Sequence, residues 1–176
     1  MARNVEIKAR IESVEALVPR AAAIATQGPE RIEQDDTFFP CPNGRLKLRA
    51  FDAASGQLIF YARPDQAGPK ESFYILSPTA SPDTLRDALA AAHGTIGRVR
   101  KIRTLFLAGR TRVHLDRVEG LGDFLELEVV LRDGEAVADG VAEAHALMAQ
   151  LGVADDALID GAYLDLMRQS AARAIG

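Results

Sequence analysis

The sequence has few of the residues on which several protein classes depend. Its one cysteine, Cys41, cannot form an internal disulfide, and no Cys/His cluster suggests a zinc site. No apolar run approaches the roughly 20 residues that a membrane-spanning helix needs. The N-terminus lacks the apolar stretch of a signal peptide. We therefore expect a cytoplasmic protein with no membrane partner.

Aromatic residues and net positive charge are also scarce. Aromatics make up 6% of the chain, tryptophan is absent, and the formal net charge is −4. Nucleic-acid-binding domains are usually basic and present aromatic side chains on which bases stack. Nucleic acid is therefore not expected as a partner. The 176 residues are enough for one domain with a sizeable core, and we assign residues 1–176 to it.

The positive charges are concentrated in one segment. No Asp or Glu occurs between Asp87 and Asp116. The cations of this acid-free segment are Arg98, Arg100, Lys101, Arg103, Arg110 and Arg112. Such a concentration indicates an anionic ligand despite the acidic total, and a solvated basic face is the alternative.

Alternating polar and apolar residues predict mainly strands. The expected strands cover residues 4–11, 46–51, 58–62, 72–76, 98–108, 110–118 and 124–131. Helices are expected over 13–26, 81–93, 135–150 and 155–174. Seven or eight antiparallel strands can close into a barrel, and an open sheet with helices on one side is the alternative.

Several of these strands carry charges at every second position. The pairs that share a face are Glu6 with Lys8, Lys47 with Arg49, Lys101 with Arg103, and Glu126 with Glu128. A sheet with one wet side shows the same alternation. If the faces point into a barrel, however, so many charges are costly to bury without a ligand of matching charge. Triphosphate with Mg²⁺ or Mn²⁺ matches, because Lys and Arg bind its oxygens and the ion joins phosphate to carboxylate.

Seven short segments match one known family in the same order. Residues 4–8 resemble the ExExK signature of CYTH proteins, the triphosphate tunnel enzymes. Residues 114–128, with Gly120 and Gly122, are similar to its glycine block and the E-x-E strand that follows. The other matching segments are 34–39, 46–49, 61–64, 101–103 and 162–166. The family includes class IV adenylyl cyclases, thiamine triphosphatases and inorganic triphosphatases.

The resemblance implies a fold, a cofactor and a site. The implied fold is α+β, an eight-stranded antiparallel barrel with flanking helices. The ligands implied for Mg²⁺ or Mn²⁺ are Glu6, Asp116, Glu126 and Glu128. The implied phosphate-binding cations are Lys8, Lys47, Arg49, Arg63, Lys101, Arg103 and Arg112. The implied catalytic residues are Glu6, Lys8, Glu126 and Glu128. Asn4 departs from the motif, because an amide replaces its first carboxylate.

Two residues keep two interpretations each. His114 could donate to a phosphate or orient a carboxylate, or it could be an ordinary strand histidine. Tyr163 could close the mouth of the tunnel or pack in a helix core.

The expected function is hydrolysis of a small triphosphate-containing molecule. Cyclisation of ATP to cyclic AMP and pyrophosphate is the alternative, and it needs base and ribose contacts that the motifs do not identify. A non-catalytic module that binds nucleotides or polyphosphate is a weaker alternative, supported by Asn4. The sequence leaves open whether the protein forms a homodimer.

Overall fold

The computed structural model of the chain describes residues 2–62, 64 and 67–175. Its strands are β1 (Ala2–Arg10), β2 (Gln27–Phe39), β3 (Arg45–Asp52), β4 (Ser55–Ala62), β5 (Lys70–Thr79), β6 (Gly97–Ala108), β7 (Thr111–Val118) and β8 (Gly122–Val130). Its helices are α1 (Val14–Ile24), α2 (Pro82–His93), α3 (Val137–Leu151) and α4 (Tyr163–Ile175), with a 3-10 turn at Asp155–Ala157.

The strands close into one antiparallel barrel. Their order is β1-β5-β4-β3-β2-β6-β7-β8, and β1 closes the sheet by pairing with β5 on one side and β8 on the other. Closure removes the unpaired strand edges through which open sheets aggregate. The predicted α+β fold, an eight-stranded antiparallel barrel with flanking helices, is confirmed.

The main apolar core lies outside the barrel wall. On β1, the side chains of Val5, Ile7 and Ala9 are at most 1% exposed. Together with apolar residues of β7 and β8, they pack against the apolar faces of α1 and α3. Because side chains alternate along a strand, the intervening residues of these strands point into the barrel.

Helix α3 approaches β1 closely at a glycine. A Cβ atom at Gly140 would lie 2.7 Å from Leu131 Cδ2 and 2.8 Å from Val5 Cγ2. A larger residue would therefore push the helix away from the wall. This glycine fixes the distance at which α3 covers the barrel.

Helix α4 covers one end of the barrel. Tyr163 and Leu164, at its start, pack with Phe38, Val99 and Phe124 in a second apolar cluster. The ring centroids of Phe124 and Tyr163 are 5.0 Å apart. The end of the barrel beneath α4 is therefore filled by apolar and aromatic side chains.

Local sequence signals set the ends of the other helices. Helix α1 begins after Ser13, whose hydroxyl accepts a hydrogen bond from the backbone N–H of Ala16 at 3.1 Å. Helix α2 begins at Pro82 and ends at Gly94, where φ is 72°. Among the described residues, no helix combines the length and the apolarity that crossing a membrane requires.

Two elements differ from the sequence prediction. The alternation pattern does not predict β2, because residues 27–31 are polar and exposed on both faces like those of a loop. The helix expected over 155–174 is wrong in its first half, where a 3-10 turn is followed by α4 only from Tyr163. Gly161, with φ of 78°, turns the chain just before α4.

Candidate functional site

Alternate residues of all eight strands line a cavity of about 350 Å³ inside the barrel. The predicted cations that line it are Lys8, Lys47, Arg49, Lys101, Arg103 and Arg112. The predicted carboxylates that line it are Glu6, Glu126 and Glu128. Arg63, the remaining predicted cation, lies outside the described residues. The barrel thus brings together most of a site that is dispersed along the sequence.

The acid-free basic segment divides between the inside and the outside of the barrel. Its members that face the cavity are Lys101, Arg103 and Arg112. Arg98 and Arg100 lie on the outside, where both contact the carboxylate of Asp35. Arg110 binds Glu135 beside α3. The segment therefore supplies cations both to the cavity and to the outer surface.

Asp36 on β2 binds two of the cavity cations. Lys47 Nζ donates to Asp36 Oδ2 at 2.8 Å, and Arg49 Nε donates to Oδ1 at 2.7 Å. Burial would raise the pKa of Asp36, but the charges of Arg49 and Lys47 outweigh burial and hold that pKa far below its usual range. Asp36 is not among the site residues predicted from the sequence. It lines the cavity together with Gln34 and Phe38, its neighbours at every second position.

Asp116 on β7 binds two further cations and is fully buried. Lys101 Nζ donates to Asp116 Oδ2 and Arg103 Nε donates to Oδ1, both at 2.7 Å. Burial would raise the pKa of Asp116, but Arg103 and Lys101 hold it well below its usual range. The resemblance groups Asp116 with the metal ligands. The structure places it behind Lys101 and Arg103, where it does not line the cavity.

Tyr163 joins the cavity to α4. Its hydroxyl donates to Asp116 Oδ2 at 3.0 Å. Its ring centroid lies 3.7 Å from Lys8 Nζ and 4.7 Å from Lys101 Nζ, so the ring face contacts two ammonium groups. Burial and the nearby carboxylate of Asp116 raise the pKa of Tyr163 well above its usual value. Both interpretations of this residue hold, because it packs in an apolar cluster and closes the lysine-rich end of the cavity.

Glu126 and Glu128 point into the cavity from β8. Glu126 Oε1 lies 3.1 Å from Lys8 Nζ, and Glu126 Oε2 accepts a hydrogen bond from Arg103 Nη2 at 2.6 Å. Glu128 Oε2 accepts one from Arg112 Nε at 2.9 Å. Burial would raise the pKa of Glu126, but Lys8 and the neighbouring cations hold it well below its usual value. Both side chains are therefore available as charged ligands.

His114 lies between these two carboxylates. Its Nδ1 is 3.8 Å from both Glu126 Oε2 and Glu128 Oε1, and one ligand atom from each of the three residues fits within 4.8 Å. Burial and the charge of Arg103 lower the pKa of His114, so its imidazole is neutral near pH 7. Glu6 lies opposite Glu128 in the register of β1 with β8. This group could hold a metal ion.

Asn4 and Gln34 add uncharged polar groups to the cavity lining. Asn4 is 2% exposed and Gln34 is 6% exposed. The carbonyl oxygen of each side chain is buried and has no hydrogen-bond partner. Asn4 lies opposite Ser72 in the register of β1 with β5. Both amides can therefore bind a ligand in the cavity.

Lys47 loses its proton more readily than an ordinary lysine. Burial and the charge of Arg49 lower the pKa of Lys47 to about 7, although its ammonium donates to Asp36. The groups that face it are Asp36 on β2, Arg49 on β3, Lys101 on β6, and the rings of Phe38 and Tyr61. Its charge is therefore sensitive to pH near neutrality.

Four strands contribute apolar side chains to the cavity toward the end away from α4. On β2, β3, β5 and β6, the inward-facing residue nearest to that end is apolar. These residues are Ile32, Phe51, Leu76 and Leu105. The side-chain amide of Gln57 lines the cavity beside them. The cavity therefore has a charged section that suits phosphates and an apolar section that suits an organic group.

Comparison with known sequences connects this cavity with one domain family. The sequence model of the CYTH domain matches residues 2–163. The chain is 25% identical over 177 aligned positions to the adenylate cyclase CyaB of Aeromonas hydrophila, a match that covers 95% of this chain and 90% of that protein.

Solved structures share the fold at lower sequence identity. A protein from Pyrococcus horikoshii superposes with a TM-score of 0.83 at 20% identity, over 93% of this chain and 99% of that one. A Hippeastrum protein described as having a dominant triphosphatase activity also superposes on this chain. Its TM-score is 0.68 at 14% identity, and the match covers 97% of this chain and 96% of that one. These structures support the fold alone.

Proposed function

The chain belongs to the CYTH family, and from that premise we propose that it is a divalent-metal-dependent enzyme that hydrolyses a triphosphate. The observation that carries the proposal is the cavity in which six cations lie beside four carboxylates. Tripolyphosphate carries several negative charges in a row, and Lys and Arg are the side chains that bind phosphate oxygens. The cations of the cavity thus match the charge of the ligand.

The described residues fit a divalent ion beside Glu126 and Glu128. Glu6 and Glu128 are directly opposite on adjacent strands, an arrangement of like charges that a cation stabilises. The buried, unpaired Nδ1 of His114 lies 3.8 Å from a carboxylate oxygen of Glu126 and from one of Glu128. An ion bound there would act as a Lewis acid on the phosphoryl group and neutralise charge on its oxygens.

The cavity cations would bind the phosphate oxygens and fix their register. Asp36 and Asp116 already hold four of them in place, namely Lys47, Arg49, Lys101 and Arg103. Such preorganised charge needs little rearrangement as negative charge develops during P–O cleavage. We assign Asp116 to this positioning role. Glu126 and Glu128 would accept hydrogen bonds from the attacking water and orient it.

Cyclisation of ATP is the second candidate, favoured by two observations. The apolar section at Ile32, Phe51 and Leu105 offers an organic group a place beside the phosphates, which the sequence motifs do not reveal. The similarity to an adenylate cyclase extends over 95% of the chain. Hydrolysis remains our proposal because it needs only an ordered water, whereas cyclisation also needs the ribose 3′-oxygen aligned with the α-phosphorus.

Product analysis separates the two reactions. We expect the protein with Mn²⁺ or Mg²⁺ to release orthophosphate from tripolyphosphate at least as fast as it consumes ATP. Chromatography of the ATP products checks this. Cyclic AMP and pyrophosphate as main products, with tripolyphosphate acting only as an inhibitor, would establish the cyclase. Tight binding of tripolyphosphate without turnover of any triphosphate would establish the non-catalytic module.

The binding of tripolyphosphate should depend on the protonation of Lys47. Because the pKa of Lys47 is lowered to about 7, the free protein loses this charge as the pH rises through that value. The bound anion would restore the proton, so the affinity of the wild type should fall by up to about tenfold per pH unit above 7. Titration calorimetry between pH 6 and pH 9 measures this decline.

The matched control is Lys47→Arg, which keeps the charge throughout this range. Tripolyphosphate itself becomes more negative as the pH rises, and this changes its binding to the wild type and to the variant alike. The ratio of wild-type to variant affinity therefore isolates Lys47. A ratio that stays constant between pH 6 and pH 9 would remove Lys47 as the source of the pH dependence.

A further inference from the structure

A ring nitrogen of His114 is unpaired inside the charged cavity. The residue is 3% exposed, and its Nδ1 is buried without a hydrogen-bond partner. Buried polar atoms nearly always have a partner, so an unpaired one needs an explanation. Carboxylate oxygens of Glu126 and Glu128 both lie 3.8 Å from this nitrogen, which is too long for a hydrogen bond.

The distances suit a shared metal ion better than a direct contact. Metal bonds to imidazole nitrogen and to carboxylate oxygen are about 2.0–2.2 Å long for an ion such as zinc. Two donor atoms on one such ion are therefore separated by about 3–4 Å, depending on the angle at the metal. The separations of 3.8 Å from Nδ1 to Glu126 Oε2 and to Glu128 Oε1 lie in this range.

The two carboxylates can bind the cavity cations and a metal ion at the same time. Glu128 uses Oε2 for Arg112, and its Oε1 is the atom that faces His114. Lys8 lies against Glu126 Oε1, whereas Glu126 Oε2, which is 3.8 Å from His114 Nδ1, also accepts a hydrogen bond from Arg103 Nη2 at 2.6 Å. A carboxylate oxygen has two lone pairs, so Oε2 can bind a metal ion while it accepts this hydrogen bond. The ion-pair network and a metal ion between the three residues are therefore compatible.

We propose that His114 is a direct metal ligand through Nδ1, and that it makes the site of Glu126 and Glu128 selective for a first-row transition-metal ion such as Mn²⁺ over Mg²⁺. The proposal rests on the divalent-metal dependence proposed above. Carboxylate oxygens alone suit Mg²⁺, Ca²⁺ and Mn²⁺ alike, whereas imidazole nitrogen favours transition metals. A single nitrogen donor among oxygens thus changes which ion the site prefers.

Electron paramagnetic resonance of bound Mn²⁺ tests the ligand directly. Tripolyphosphate and a nitrogen-free buffer contribute no nitrogen, so a ¹⁴N coupling in the electron spin-echo modulation must come from the protein. We expect that coupling in the wild type with Mn²⁺ and tripolyphosphate. Incorporation of ¹⁵N-labelled histidine should replace it with a ¹⁵N coupling. This measurement needs no substitution at a buried position.

A substitution assigns the coupling to one residue. The chain has three histidines, and His93 and His145 are both exposed. In His114→Phe, which keeps a planar ring without nitrogen, the coupling should disappear. The affinity for Mn²⁺ should fall about 10- to 100-fold, while the affinity for Mg²⁺ changes less than threefold. His145→Phe is the matched control and should behave as the wild type does.

The outcomes separate this proposal from the proposed function. If Mn²⁺ binds with tripolyphosphate but the wild type shows no histidine nitrogen coupling, His114 is not a ligand and the metal-dependent enzyme stands. An equal loss of Mn²⁺ and Mg²⁺ affinity in His114→Phe would also overturn the selectivity. If the wild type binds no divalent ion, with or without tripolyphosphate, both the metal site and the role of His114 are wrong.

Discussion

Glu126→Gln is expected to lower the turnover of triphosphate at least about 100-fold while the barrel stays folded. The substitution keeps the size of the side chain and removes its charge. Glu126 is the carboxylate that lies against both Lys8 and Arg103 and beside His114. Its loss would weaken metal binding and leave the positions of two cations less constrained. Steady-state kinetics at saturating Mn²⁺ measures the effect, and circular dichroism checks the fold.

The matched control for this experiment is Glu119→Gln. Glu119 is exposed in the turn between β7 and β8, so the same chemical change there should leave turnover within about twofold of the wild type. Wild-type kinetics in Glu126→Gln at saturating metal would contradict the proposed site. A variant that binds tripolyphosphate normally but does not hydrolyse it would place Glu126 at the reacting phosphorus rather than in substrate binding.

Asp116→Ala should destabilise the protein by about 3–5 kcal/mol, because it leaves two buried cations without their shared carboxylate. Lys101 and Arg103 are 7% and 5% exposed, and both donate to Asp116 at 2.7 Å. Tyr163 would lose its acceptor as well. For a chain of this length the melting temperature should fall by roughly 6–20 °C. Calorimetry at pH 7 in the absence of ligand measures the change.

Added tripolyphosphate gives this second experiment an internal test. An anion in the cavity can replace part of the charge that Asp116 supplied, so tripolyphosphate should raise the melting temperature of the variant more than that of the wild type. Asp87→Ala, on the exposed side of α2, is the control and should shift stability by less than about 0.5 kcal/mol. If Asp116→Ala also lowers the free energy of unfolding by less than about 0.5 kcal/mol, the buried cations do not depend on this carboxylate.

Alternation predicts most of the strands, and the family resemblance favours a closed barrel over an open sheet. In β1, β7 and β8, apolar residues recur at every second position over most of the strand and pack under the helices. Strand β2 is missed because residues 27–31 are exposed on both faces, and pairing with β6 keeps them extended. No local pattern encodes such a partner, since β2 and β6 are distant in sequence.

The residues of the site are predictable by type but not by contact. Alternation and the family resemblance both identify Lys101, Arg103 and Glu126 as functional candidates. That Arg103 joins Asp116 to Glu126 follows only from the registers of β6 with β7 and of β7 with β8. The position of His114 between two carboxylates depends on the same registers. The sequence alone therefore cannot distinguish a ligand from an ordinary strand histidine there.

The outer position of the apolar core restricts how this chain can change over evolutionary time. On β1, residues 5, 7 and 9 belong to the core and residues 4, 6 and 8 to the cavity. Inserting or deleting one residue within a strand exchanges the two sets, sending charges under the helices and apolar side chains into the cavity. Point substitutions inside the cavity leave the core intact. New substrates are therefore accessible through single replacements, whereas length changes are tolerated only in the turns between strands.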